Sequence, residues 1–395
     1  MIAIIGGRVH TCGSRGTIDR ATILIDGTKI VDVLERADVP SDCQIVNAEG
    51  LEIVPGFVDA HSHLGIPTEG LGVPDANEGS DPITPHLRAI DAFDPFEPYI
   101  ERVLQSGVTT VGLLPGSSVS FGSLIEEIGV ITGMGSVIKT FVREGRVTVL
   151  REKAGMKFAV GAHPKRFFAE KKAPPATRMN IIGLIRENLE AARLYSLKKT
   201  SPTSEDFNLK KELLLELLHR EFPARVHVHT VRDIISIIGL QTEFGFDLVL
   251  DHVTEGYMIA DELARRNVPC VVGPLTVTRR GSDLKNISLK NPAVLAKAGV
   301  KVALTTDHPT FPAGYLPFHA GIAVREGLDY EMALKAITIV PAEILGVADR
   351  VGSIGKGKDA DMVLFHGDPL EIISEIRGVM VDGQFVAGSL SQGNS

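Results

Sequence analysis

Cysteine is scarce in this 395-residue chain: Cys12, Cys43 and Cys270 are odd in number and scattered. They build no disulfide framework and no CxxC metal knuckle, and a reducing cytosol is the expected compartment. Long apolar runs are also missing, since none approaches the roughly 18–20 residues that cross a bilayer. The opening MIAIIGGRVH is apolar but short, lacks a basic n-region and runs into Gly6-Gly7. It reads as a strand and a turn, not a signal peptide. Basic charge is in deficit, with 41 Lys and Arg against 49 Asp and Glu for a net charge of −8. Without a basic stripe, the phosphate neutralisation that supplies most nucleic-acid affinity is lacking. Neither nucleic acid nor membrane is an expected partner; a small molecule is.

What the chain does have is an ordinary globular balance, 44% hydrophobic and 23% charged, which excludes wholesale disorder. Its length fits a large barrel plus a smaller domain. Both ends are strand-and-turn in character. Short apolar runs at Ile2 to Ile5, Ala21 to Ile25 and Ile30 to Val33 are answered by Met362 to Phe365 and Val379 to Val381. Asp382-Gly383 is a strong hairpin signal. One small β-sandwich domain is therefore expected from 1–54 plus 347–395. Over 55–346, apolar β-branched runs alternate with amphipathic helical stretches, which argues for a parallel sheet and a (β/α)8 TIM barrel. Seven strands are predicted, at 53–60, 109–114, 156–161, 225–229, 248–252, 269–272 and 301–306, with the third barrel strand somewhere in 136–150. Two long connections, 66–94 and 162–177, follow strands and so belong at the barrel mouth.

The sharpest feature is Pro55-Gly56-Phe57-Val58-Asp59-Ala60-His61-Ser62-His63. Side chains two apart on a strand share a face, so both imidazoles can converge on one cation at about 2.0–2.1 Å. His229 and His252 end later predicted strands, and Asp307 follows the last one inside Thr305-Thr306-Asp307-His308. All five groups lie at C-terminal strand ends, where barrel chemistry collects. His227, His229 or His252 alone reads equally well as a satisfied core histidine; the coincidence favours a metal site.

PGFVDAHSH, the later histidines and TTDHP resemble the amidohydrolase superfamily, and so do Pro341 to Gly346 and Val351 to Val363. The likeness runs through nearly the whole chain and is greatest to the imidazolonepropionase-related and prolidase-like branch. It implies a barrel with a composite sandwich, hydrolysis of amide, cyclic amide or amine C–N bonds, and one or two divalent metal ions. Zinc (Zn2+) comes first, with iron, manganese or cobalt as alternatives. By the same resemblance His61 and His63 match the first-strand ligands, His229 the fifth and His252 the sixth. Asp307 matches the eighth-strand aspartate, ligand and proton carrier at once; in the mechanism expected from this set, the metal or His252 stabilises the developing oxyanion. Lys157 resembles a carboxylated bridging lysine. Gly161-Ala162-His163-Pro164-Lys165 stands where relatives carry Gly-Glu-Asn-Pro-Lys, so that carboxylate is absent. His163, Lys165, His86, Ser117 and His308 are the expected substrate contacts, with Arg178 as a weaker carboxylate partner. Alternatives are a deaminase of an aminated heterocycle and a non-catalytic scaffold. Homo-oligomers are common among soluble enzymes, and the sequence fixes no number.

Overall fold

Short β-branched runs broken by turn residues build the first sheet. In the computed structural model, β1 (Ile2–His10), β2 (Thr17–Asp26) and β3 (Lys29–Glu35) pair antiparallel in sequence. β4 (Gln44–Asn47) and β5 (Glu52–Pro55) both lie parallel to β1. The structure describes every residue except 36–38, 42, 67–74, 117, 122–123, 128, 163, 166–172, 199–206, 278–281 and 391–395, and leaves out the side chains of 118–121, 124–127 and 198. The far end of the chain joins the same sheet: its strand Met362–His366 pairs antiparallel with β5 and with Glu375–Val381, which pairs with Gln384–Ala387. Asp382 and Gly383 close that last hairpin at φ +50° and +73°, the type I′ geometry their sequence favours. Ile4, Ile23, Ile53, Met362 and Leu364 share one fully buried cluster, so both termini are held by a single apolar core.

The second sheet is the barrel. Its strands are β6 (Phe57–Ser62), β7 (Val108–Leu113), β10 (Ile131–Arg143), β11 (Arg146–Ala159), β12 (Ala224–Val228), β13 (Leu248–His252), β14 (Cys270–Val272) and β15 (Val302–Leu304), in that spatial order. A small hairpin, β8 (Ser118–Phe121) with β9 (Leu124–Glu127), lies between β7 and β10. Helices separate most barrel strands, from α1 (Pro98–Gln105) after β6 to α4 (Val231–Phe244) after β12 and α6 (Asn291–Lys297) before β15. The architecture is a TIM-type barrel with a β-sandwich domain formed by both termini, the C-terminal strands being β16 to β18 in chain order.

One strand departs from the expected alternation. β10 runs antiparallel to both β7 and β11. The third strand is thus one arm of a long hairpin rather than part of a βα unit, and the strand predicted at 156–161 is only the end of β11. Glu144 and Gly145 make the turn at φ +52° and +70°. The hairpin also reaches the first sheet. Lys139, fully buried on β10, places its Nζ 2.9 Å from Asp359 Oδ2, 2.9 Å from Asp361 Oδ2 and 2.6 Å from Asp382 Oδ1. Arg350 and Lys29 also pair with Asp359, so three cations balance three carboxylates between barrel and sandwich.

Candidate metal centre

The site sits where β6 and β15 end. Alternation along β6 turns Asp59 and His61 to one side, and His63 continues that face just past the strand. His61 is completely buried. His61 Nε2 lies 3.5 Å and His63 Nε2 3.6 Å from Asp307 Oδ1. One ligand atom from each of the three residues falls within 4.8 Å of the others. Tetrahedral ligands at about 2.1 Å from a zinc ion stand about 3.4 Å apart, so both histidine–Asp307 distances match metal-ligand spacing. Asp307 adopts φ +55° and His252 φ +71°, left-handed conformations that cost energy and cluster at functional sites.

Hydrogen bonds fix which ring nitrogen is offered. His63 Nδ1 is 2.7 Å from the Leu114 carbonyl and His252 Nδ1 is 2.8 Å from the Gly273 carbonyl. A carbonyl only accepts, so each Nδ1 carries hydrogen, and the tautomer this selects has its lone pair at Nε2. His252 Nε2 is buried with no hydrogen-bond partner among the described residues, the condition expected of a nitrogen awaiting a cation. Gly273 permits this packing. At φ +144°, a Cβ there would lie 2.1 Å from the Thr305 carbonyl.

His229 is placed differently. Its Nδ1 lies 2.7 Å from Thr254 Oγ1, and its ring stacks on His252 at 5.3 Å. Like His252, it does not join the cluster of His61, His63 and Asp307. His227, two residues earlier, packs 4.3 Å from the His252 ring and 4.6 Å from the His229 ring, while His252 lies 4.8 Å from His61. The fifth strand therefore brings two imidazoles towards the centre, and strand parity is the signal that draws attention to His227.

Charges behind the ligands are paired. Asp251 Oδ2 is 3.4 Å from His61 Nδ1, and Arg225 Nη2 donates to Asp251 Oδ1 at 2.6 Å and to the Ala60 carbonyl at 2.9 Å. Burial pushes the Asp251 carboxyl up, but Arg225 and then His61 outweigh it and hold it well below the usual carboxylate range. Burial, followed by Lys157, keeps His61 well below the usual histidine range, so the ring is neutral and able to coordinate. Burial also opposes ionisation of Asp307, yet His252, His63 and His61 hold its carboxyl low.

The remaining expected residues are scattered. Lys157 is buried on β11 with Nζ 3.0 Å from His61 Nε2. The His308 ring packs 5.6 Å from Tyr99, on α1, and burial pushes it down to about 4. His86 is half-buried with Nδ1 unpartnered among the described residues, and Lys165 is exposed. Ser117 and His163 lie outside the described residues. Arg178 is occupied elsewhere: it binds Asp233 at 2.9 Å and Asp283 at 3.0 Å, which commits its guanidinium to tying the start of the helix Arg178–Lys198 to α4 and to the segment between β14 and α6.

Residues 53–390 match the model of the Amidohydrolase family. The chain belongs to that family. A solved structure of an amidohydrolase from Thermotoga maritima MSB8 is 39% identical with a TM-score of 0.90, over 98% of this chain and 99% of that one. "Amidohydrolase tasK" of Hapsidospora irregularis is 29% identical over 386 residues, covering 90% of this chain and 38% of that protein. The chain thus spans well under half the length of that relative. The imidazolonepropionase of Shouchella clausii (strain KSM-K16) is 24% identical over 383 residues, covering 89% of this chain and 80% of that one. This amidohydrolase is accordingly an enzyme acting on C–N bonds. No helix among its described residues is long and apolar enough to cross a membrane.

Proposed function

We propose that this amidohydrolase cleaves the C–N bond of a small amide, dipeptide-like, N-acyl or cyclic, at a divalent metal centre for which zinc is the first choice. The observation that carries the reading is the approach of His61 Nε2 and His63 Nε2 to the same Asp307 oxygen at 3.5 and 3.6 Å. His61, His63 and Asp307 would hold the ion. His252 completes the set through its unpartnered Nε2, and the fifth strand adds His229 or its neighbour His227. Because His252 Nδ1–H is given to the Gly273 carbonyl, a ligand role suits this ring better than donation to an oxyanion. When bound, a divalent ion supplies a nucleophile at neutral pH by lowering the pKa of water from about 15.7 towards 7.

The protein's own part is proton traffic. Asp307, held ionised, takes a proton from the attacking water. The oxygen adds to the acyl carbon, the C–N bond breaks, and Asp307 returns the proton to the leaving nitrogen. Lys157, beside His61, supports a carboxylated lysine joining a second ion. The three cysteines are free, which supports a reducing compartment such as the cytosol, and a homo-oligomer is in keeping with soluble enzymes generally.

Protein purified without chelator is expected to carry metal by elemental analysis. It is then tested on dipeptides, N-acyl amino acids, hydantoin-like rings and aminated heterocycles. Release of a new carboxylate together with an amine supports the reading. Ammonia from a ring as the sole nitrogen product replaces it with deamination, and a chain that takes up no metal defeats it.

A further inference from the structure

We infer that Asp59 is a positioning residue that sets where Asp307 meets His61 and His63; the inference rests on the metal reading above. Neighbouring barrel strands are joined by backbone ladders, but β15 and β6 stand at opposite ends of the sheet order. Beyond the strand ends, among the described residues, they are linked by the bridge between Ser62 and His308 and by the His63 N–H donating to the His308 carbonyl at 2.9 Å. One level deeper, side chains close the seam. Asp59 is fully buried, as are Thr305 and Thr306. Asp59 Oδ1 lies 2.6 Å from Thr305 Oγ1 and accepts the His61 N–H at 3.2 Å. Asp59 Oδ2 accepts Thr306 Oγ1–H at 2.6 Å and Thr306 N–H at 3.1 Å.

This one carboxylate therefore ties the first barrel strand to the end of the eighth, immediately before the ligands on each. Thr305 Oγ1 carries the link onward. It lies 2.8 Å from the His61 carbonyl and accepts the Asp307 N–H at 3.1 Å. The backbone of Asp307 is thus held from the His61 side of the seam. Its φ of +55° is a conformation that persists only where the surroundings over-determine it. An ionised carboxylate offers about four acceptor positions and no donor, which suits the donors gathered here. An asparagine would turn an NH2 group towards either Thr306 N–H or His61 N–H, and one donor would then face another. A merely satisfied core carboxylate predicts lost stability with unchanged ligand geometry. A positioning carboxylate predicts a changed metal site in protein that is still folded.

The test compares the parent with Asp59→Asn, Thr305→Val and Thr305→Ser. Zinc affinity is measured by competition with a chromophoric chelator, and the cobalt(II)-substituted proteins are compared by visible absorption. Thermal unfolding of the metal-free proteins checks that each is folded. Asp59→Asn and Thr305→Val are expected to bind zinc about 10–100-fold more weakly, the range found when partners behind metal ligands are removed, with an altered cobalt spectrum. Thr305→Ser keeps Oγ1 and is expected to match the parent. Folded Asp59→Asn with the parent's zinc affinity and cobalt spectrum overturns the inference. Should Asp59→Asn fail to fold, the threonine pair decides: equal zinc affinity for the valine and serine variants overturns it, and loss in the valine variant alone supports it. A parent chain that takes up no metal brings down the metal reading itself, whereas a metal-loaded parent with indifferent variants brings down only the role of Asp59.

Discussion

Lys157 Nζ lies 3.0 Å from His61 Nε2, the same ring nitrogen that faces Asp307 Oδ1 at 3.5 Å. A bare ammonium there repels an incoming cation, whereas a carboxylated lysine reverses the charge and offers oxygens. The parent is therefore expected to take up a second equivalent of zinc only when bicarbonate is supplied. Lys157→Met, which keeps an unbranched side chain one atom shorter and removes the amine, is expected to stop at the first equivalent. Elemental analysis of both proteins with and without bicarbonate checks this, and identical stoichiometry throughout removes Lys157 from the centre.

Asp307→Asn keeps the shape of the side chain and deletes its capacity to take a proton. Its kcat is expected to fall by about 100-fold or more, within the range general acid–base groups supply. Metal content should be largely retained through the histidines. Turnover near the parent's, measured on whichever substrate the screen identifies, would leave proton transfer without a carrier.

Lys139→Met leaves Asp359, Asp361 and Asp382 without their shared ammonium. Removing one partner from a buried ion pair costs about 3–5 kcal/mol, and urea unfolding should show a loss of that order. Adding Asp361→Asn removes one uncompensated charge and should recover part of it. Zinc affinity of the folded Lys139→Met protein should be unchanged, because the cluster lies between the barrel and the terminal sheet.

Glu144 occupies a left-handed position at φ +52° next to Gly145. An ordinary L-residue is disfavoured there by about 1–2 kcal/mol, and asparagine tolerates it better. Glu144→Asn is expected to stabilise the protein by a few tenths to about 1 kcal/mol, read as a higher midpoint of thermal unfolding. A lower midpoint would show that Glu144 makes a compensating contact.

The same turn explains where the sequence was hard to read. Asp382-Gly383 announces its hairpin because Asp-Gly is the favoured type I′ pair, and β17–β18 is legible from it. Glu144-Gly145 carries no such signal, and β10 is buried from Ile131 through Thr140, so no polar alternation marks its faces. A reversed third strand therefore stays hidden among expected βα units. His61, His63 and Asp307 are legible because a two-residue period and strand ends are local properties. His227 follows from the same period once His229 is noticed. Asp59 is different: its partner Thr305 is 246 residues away, and nothing near Asp59 in sequence shows what its carboxylate binds. The commitment of Arg178 to Asp233 and Asp283 is likewise a tertiary fact.

The pairing of β5 with a strand that begins at Met362 has a consequence on the ribosome. Synthesis delivers β1 to β5 early, and the barrel emerges next. Until Met362–His366 has been made, Ile53 and Val54 present an apolar strand edge without the neighbour they have in the folded sheet. Unpaired edges of this kind invite pairing with other chains. The nascent protein is thus exposed to aggregation from the emergence of β5 to that of Met362–His366, and docking of that strand ends the vulnerability.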